Sequence, residues 1–210
     1  MYSKKIETYK QKLKLTSQQR EILVGLLLGD GHLETQNNGL TYRLKIEHGA
    51  IQKDYVDWLY EIYKDWVLTP PQIKQKKTGE IITENVWFNT VSHIAMRYYG
   101  KQFYQKGKKI LPKYISRLLK PLTLAIWFMD DGSLKSKDHR ALILNTQGFI
   151  IKEIEMLQKG LKEKYSIEAQ QRNQKDGIQL LMVGESAKEF ARIISPYLLP
   201  QFNYKLGKLN

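Results

Sequence analysis

LAIWFMDDGSLKSK, residues 124–137, runs apolar from Leu124 to Met129 and stops on Asp130-Asp131-Gly132. ILVGLLLGDGHLE, residues 22–34, makes the same move about 100 residues earlier and stops on Gly29-Asp30-Gly31. A helix that is apolar nearly all round has no solvent face, so each stretch reads as a buried helix. Thr16 with Gln19 forms a capping box ahead of the first, and Pro121 is a good first-turn residue for the second.

The segments after each helix repeat as well. TYRLKIEHG alternates, with Arg43, Lys45 and Glu47 on one side and Leu44 and Ile46 on the other, as a half-buried strand does. YVDWLYEIYKDWV reads as an amphipathic helix, QIKQKKTGEIITENVWFN as a hairpin turning near Thr78-Gly79, and VSHIAMRYYG as a short helix after Ser92. After the second buried helix come ALILNTQG as the alternating strand, IIKEIEMLQKGLKEKYS as the helix, and IEAQQRNQKDGIQLLMV as a hairpin turning at Asp176-Gly177. ESAKEFARIISPYL closes it, capped near Ser186. The expected fold is therefore α+β: two pseudo-symmetric αββαββα halves, fused and related by a twofold axis. Residues 1–15 form a basic N-terminal arm, 16–100 the first half, 101–120 a basic connector and 121–210 the second half.

The 210 residues carry 34 Lys+Arg against 21 Asp+Glu, a formal charge of +13 that fits a polyanionic partner, nucleic acid before membrane. No apolar run approaches the ~18–20 residues of a membrane span, and the polar N-terminus has no secretory apolar core. There is no cysteine, so disulfides and thiolate metal sites are excluded. His32, His48, His93 and His139 show no metal-ligand spacing, which argues against an HNH or zinc nuclease, and no D…ExK arrangement suggests a restriction-type one. The Lys, Ile, Asn and Tyr content reflects A/T-rich codons and hints at an organellar genome.

Each half thus offers one carboxylate, Asp30 or Asp131, at the end of a buried helix. If the two helices pack on the twofold axis, with Gly25 and Gly29 allowing close approach and Ala125 serving on the other side, these carboxylates lie close together. Aspartate against the negative end of a helix dipole is unfavourable, and two such aspartates repel. A hard divalent cation with oxygen ligands offsets both, and Mg²⁺ held this way suits phosphodiester hydrolysis.

LVGLLLGDG (23–31) and LAIWFMDDG (124–132), with LNTQGF (144–149) and PYLLPQFNYKL (196–206), resemble the LAGLIDADG homing endonucleases of the double-motif, intron-encoded mitochondrial type. The resemblance covers about residue 20 to residue 206. It implies a monomer whose motif helices form the central interface and whose saddle-shaped antiparallel sheets straddle duplex DNA at a long asymmetric site. It also implies Mg²⁺ (or Mn²⁺) held by Asp30 and Asp131, each supporting cleavage of one strand. By position Lys109 and Lys205 match the family's basic active-site residues, and Glu47, Gln147 and Asn145 match residues that order water. Asp130 is an acid more than the pattern expects, and Ile126 and Trp127 stand where small residues often sit.

DNA contacts are expected from Arg43, Lys45, Lys74, Lys76 and Lys77 in the first half, and from Lys135, Lys137, His139, Arg140, Gln170, Arg172 and Gln174 in the second. A two-stranded ribbon fits the major groove, where Arg and Lys read guanine and Gln reads adenine. The expected activity is site-specific DNA cleavage promoting intron or intein mobility, in an organelle and encoded there, with no membrane partner. Two rivals remain open: an RNA maturase of the same fold, with intron RNA as partner, and a DNA-binding regulator without catalysis.

Overall fold

A computed structural model describes residues 4–136 and 140–209, leaving out the side chains of Lys76, Thr78 and Ile81. Lys137 and His139 lie outside the described residues, as does the Lys76 side chain. The first half runs α1 (Lys4–Gln11), α2 (Ser17–Leu28), β1 (His32–Glu34), β2 (Arg43–Gly49), α3 (Lys53–Tyr63), β3 (Gln72–Thr78), β4 (Ile81–Asn89) and α4 (Arg97–Phe103). The connector folds into a small hairpin, β5 (Tyr104–Gln105) and β6 (Lys108–Lys109), then α5 (Ile115–Leu118). The second half is α6 (Pro121–Asp131), β7 (Gly132–Leu134), β8 (Ala141–Asn145), α7 (Ile151–Tyr165), β9 (Ala169–Gln174), β10 (Gly177–Val183) and α8 (Gly184–Ile194). The repeated αββαββα order is therefore present. Each half carries a four-stranded antiparallel sheet, ordered β1-β2-β4-β3 and β7-β8-β10-β9.

By packing, the chain divides into two compact units, residues 1–20 with 30–101 and residues 21–29 with 102–210. The body of α2 thus belongs with the second unit, where it lies against α6. A Cβ on Gly25 would sit 2.6 Å from Ile126 Cβ and 2.7 Å from the Thr123 carbonyl. One turn on, a Cβ on Gly29 would sit 2.5 Å from an Asp130 carboxylate oxygen. Gly25 and Ile126 hold the same place in the two motifs, as do Gly29 and Asp130, so equivalent positions face each other as a twofold seam requires. The small residue on one helix is matched by a large one on the other, and Ile126, not Ala125, is the partner of Gly25. Asp130 thus packs against Gly29 at the seam. Thr123 Oγ1 donates to the Glu21 carbonyl at 3.0 Å, and Lys120 pairs with Glu21 at 3.1 Å, which fixes the entry end of the seam.

The capping box forms: Gln19 N–H donates to Thr16 Oγ1, and Thr16 N–H to Gln19 Oε1. Gln19 also donates to the Ile62 carbonyl, and Tyr63 OH to the Gln19 carbonyl, tying the start of α2 to α3. Tyr55 and Tyr63 of α3, with Trp66 just after it, are fully buried in the core. The connector packs on α7, where Leu111 N–H donates to the buried Glu153 and Gly160 gives room for Ser116 and Leu119.

Two local expectations fail. Strand β8 does not alternate, because Ala141, Leu142, Ile143 and Leu144 are all buried. It is an inner strand whose Ile143 faces Ser133 on one side and Leu181 on the other, so neighbours cover even its outer face. Nor does Ser186 cap α8: the helix begins at Gly184, and Ser186 Oγ accepts from Glu168 N–H instead.

Candidate active site

Both motif helices end on a lysine. Lys109 Nζ donates to the Gly29 carbonyl at 2.8 Å, at the end of α2. Lys205 Nζ donates to the Met129 carbonyl at 2.6 Å, with the Phe128 and Asp130 carbonyls at 3.4 Å, at the end of α6. The last carbonyls of a helix have no partner within it and carry the negative end of its dipole, so an ammonium there is held firmly. The two lysines arrive on unlike elements: Lys109 on the β5–β6 hairpin, Lys205 at the end of a 3-10 turn, Pro200–Lys205. Lys205 is only 8% exposed and lies 5.3 Å from the centre of the Phe202 ring, whereas Lys109 is half-buried.

The carboxylates differ too. Asp30 is exposed, and its Oδ2 lies 3.8 Å from Nδ1 of the buried His48. Asp130 and Asp131 are half-buried at the end of α6. Gly132 is not a left-handed cap, since its φ of −83° is open to any residue. It is required for space: a Cβ there would sit 2.0 Å from the Phe128 ring. The chain therefore passes from the Asp131 end of α6 straight into β7.

On the first sheet, Arg43, Lys45 and Glu47 share the outer face as expected, and Lys74 joins them, whereas Lys77 points to the opposite face. These groups form a ladder of alternating charge. Arg43 donates through Nε and Nη2 to Glu34 Oε2, at 3.0 and 2.7 Å. Lys45 stands 3.7 Å from Glu34 and 3.6 Å from Glu47. Glu47 also accepts from Lys74 at 2.7 Å and from Asn85 at 2.8 Å. Burial pushes the Glu47 carboxyl up, but the hydrogen bonds from Lys74 and Asn85 and the nearby lysine charges outweigh it, and the pKa falls below the ordinary value. Glu34 is held low in the same way: burial raises it, and Arg43 and Lys45 more than compensate.

On the second sheet the register places Asn145 where the first has Glu47, since Glu47 opposes Trp87 and Asn145 opposes Gln179 at matching ladder positions. Asn145 accepts from Gln179 at 2.7 Å, and Gln179 accepts from Arg172 at 3.2 Å. Gln147 instead lies beyond β8, with its backbone against Gly177 of the β9–β10 turn. Gln170, Arg172 and Gln174 share the outer face. Lys135 is exposed where its amide extends the ladder to the Ala141 carbonyl. Arg140 departs from this set and lines a shallow depression with Lys188, Arg192 and Lys208.

His48 is the site residue that sequence reasoning passes over. A signal for it exists: the alternation that buries Leu44 and Ile46 also turns His48 inward, and an inward histidine has to find a polar partner.

The model of the LAGLIDADG DNA endonuclease family matches residues 20–190. A solved structure described as the homing endonuclease I-WcaI bound to its DNA recognition sequence superposes with a TM-score of 0.92 at 26% identity, covering 98% of this chain and 93% of that one. The probable intron-encoded endonuclease 1 of Wickerhamomyces canadensis is 28% identical over 97% of this chain and 90% of its own. The cytochrome b mRNA maturase bI2 of Debaryomyces hansenii is 30% identical over 92% and 75% respectively. The chain belongs to the LAGLIDADG DNA endonuclease family. It has the family's double-motif fold in a single chain, and it is a DNA endonuclease, a hydrolase of DNA. Among the described residues no helix is long and apolar enough to cross a membrane.

Proposed function

We propose that the chain is a homing endonuclease that acts as a monomer, cuts both strands of a long asymmetric duplex site, and so promotes mobility of the intron or intein that encodes it. The observation that carries this reading is the pair of lysines, Lys109 and Lys205, each bonded to the last carbonyls of one motif helix. Two separate segments of chain deliver the same cation to the same place in the repeat.

Asp30 and Asp131 would hold the metal. The donors are carboxylates, the chain has no cysteine, and both aspartates keep some exposure, which suits a hard cation such as Mg²⁺ (or Mn²⁺). Bound there, the ion would polarise the phosphate and lower the pKa of a water. The chain's own groups do the rest. Each lysine, fixed by helix carbonyls, places positive charge where the phosphate gains negative charge in the transition state. Glu47, held ionised by Lys74 and Asn85, is an acceptor able to orient a water, and Asn145 or Gln147 would serve the second half. Arg43, Lys45, Lys74 and Lys135, with Lys76 and Lys137 as further cations, would meet bases and phosphates, and Gln170, Arg172 and Gln174 would read base edges.

The intron-encoded relative and the A/T-rich residue usage support an organelle-encoded protein. A second role, binding intron RNA, is supported by the likeness to a cytochrome b mRNA maturase. Incubation with a randomised duplex library, in Mg²⁺ and in EDTA, tests the main reading. Mg²⁺-dependent double-strand breaks at one recovered sequence are expected. Tight duplex binding with no cleavage of any sequence would sink it and leave intron RNA splicing as the assay.

A further inference from the structure

The active site makes no use of the N-terminal arm. Residues 4–14 hold five lysines and one glutamate. Helix α1 has no buried residue, so it lies on the surface of the first unit and contributes no core. Eight residues are too few for a helix to persist alone in water. What holds it is local: Tyr9 OH donates to the Asp65 carbonyl at 2.5 Å, and the His93 ring hydrogen-bonds the Lys10 backbone.

These anchors fix which way the helix faces. Ile6, Tyr9 and Lys10 fall on the docking side at helical spacing. Lys4, Thr8 and Lys12, with Lys5 beside them, fall on the other, and all four are exposed. The arm also has a definite neighbour. Ile6 and Lys10 line one cleft together with Arg43 and Asn89, two residues of the first sheet's outer face, and with Gln36 and Ser92. The arm therefore sits beside the edge of that face, with its cationic stripe turned to solvent.

We propose that the N-terminal arm is a lateral DNA clamp: Lys4 and Lys5 of α1, with Lys12 in the turn just past its end, contact phosphates of the duplex just beyond the tract covered by the first sheet. The inference rests on the endonuclease reading. The occupant is argued from charge complementarity and from the shared cleft that joins arm to sheet. A helix of eight residues is ~12 Å long, enough to reach about three or four base pairs further along the duplex.

The test compares wild type with Lys4→Gln/Lys5→Gln/Lys12→Gln, with the same three changed to Arg, and with a control, Lys152→Gln/Lys159→Gln/Lys188→Gln, on the outer faces of α7 and α8. Each is titrated at several salt concentrations against the duplex recovered from the library and against a scrambled duplex. Each is then footprinted on the recovered site with hydroxyl radical. The glutamine arm variant is expected to lower the salt slope by about 2–3 on both duplexes, the loss of roughly three phosphate contacts. It is also expected to lose protection at one end of the footprint, while the arginine variant keeps both and the control loses neither. An unchanged slope and footprint would overturn the proposal. So would an equal fall in the control, which would mean bulk charge alone, or loss of intron RNA binding with DNA binding intact. If wild type itself prefers no duplex sequence, the endonuclease reading fails, an outcome separate from these.

Discussion

The two sheets have one topology and different chemistry. The first presents a charged ladder, Arg43–Glu34–Lys45–Glu47–Lys74, in which every cation has an acidic partner. The second presents an amide relay, Arg172–Gln179–Asn145, beside apolar Ile143 and Leu181. The repeat keeps the backbone and the helix ends and releases the faces to diverge. On the proposed function, that divergence is what would let one chain read two unlike half-sites. The first hairpin also runs further, pairing out to Thr78 with Ile81, whereas the second closes at Gln174 with Gly177.

If the halves share one chemistry at the helix ends, removing either lysine is the most damaging change. Lys109→Met and Lys205→Met are each expected to slow single-turnover cleavage by about 10²–10³, the usual scale for losing one transition-state charge contact. Lys205→Met is expected to lower thermal stability as well, because Lys205 is buried on three carbonyls. Equal rates for either variant and wild type would break the equivalence.

The seam comes next. Gly25→Ala inserts a methyl against Ile126 and the Thr123 carbonyl, and overpacking of this kind costs about 1–3 kcal/mol, to be read in urea unfolding. Ile126→Ala combined with it should recover part of that loss if the two positions face each other.

Acid should separate the sheets. The folded pKa of Glu47 is depressed, so the stability it supplies is present above its unfolded value of 4.5 and is lost as pH falls through the folded value. Amide exchange in β2–β4 should therefore speed up below that pH relative to exchange in β8–β10, where Asn145 does not titrate. Glu47→Gln should reduce the difference, leaving the part that Glu34 supplies. The smallest effect concerns His93, which sits under the arm. Burial lowers its pKa, and the neutral ring accepts from Ala95 N–H at 3.0 Å. That bond is fully present above 6.5, the ordinary histidine value, and is lost as pH falls through the lowered value. Histidine ring NMR shifts between pH 4 and 7 would show this as a titration below ~6.5 that Tyr9→Phe, by loosening the arm, moves back towards it.

Much of the fold and site is legible in the amino-acid order alone. The two apolar runs with their aspartates, the Thr16 box and the alternation of Arg43, Lys45 and Glu47 are local patterns, and local patterns survive folding. Likeness of position singles out Lys109 and Lys205, and the helix-end carbonyls give them a physical anchor. The features that sequence does not yield depend on neighbours. The four buried residues of β8 follow from strand order, and Gly132 owes its place to one phenyl ring. The pairing of Asp130 with Gly29 follows from the seam. Gln147 looks equivalent to Glu47 by counting from the aspartates, but the loop before β8 is shorter, and the strand register selects Asn145.

Equivalence of the two motif ends, each cutting one strand, is most directly tested by strand-resolved nicking of a supercoiled plasmid carrying the recovered site, using Asp30→Asn and Asp131→Asn in Mg²⁺. Each variant is expected to retain binding, lose double-strand breaks and slow cleavage of a different strand. Loss of the same strand in both, or unimpaired double-strand cleavage by either, would contradict it.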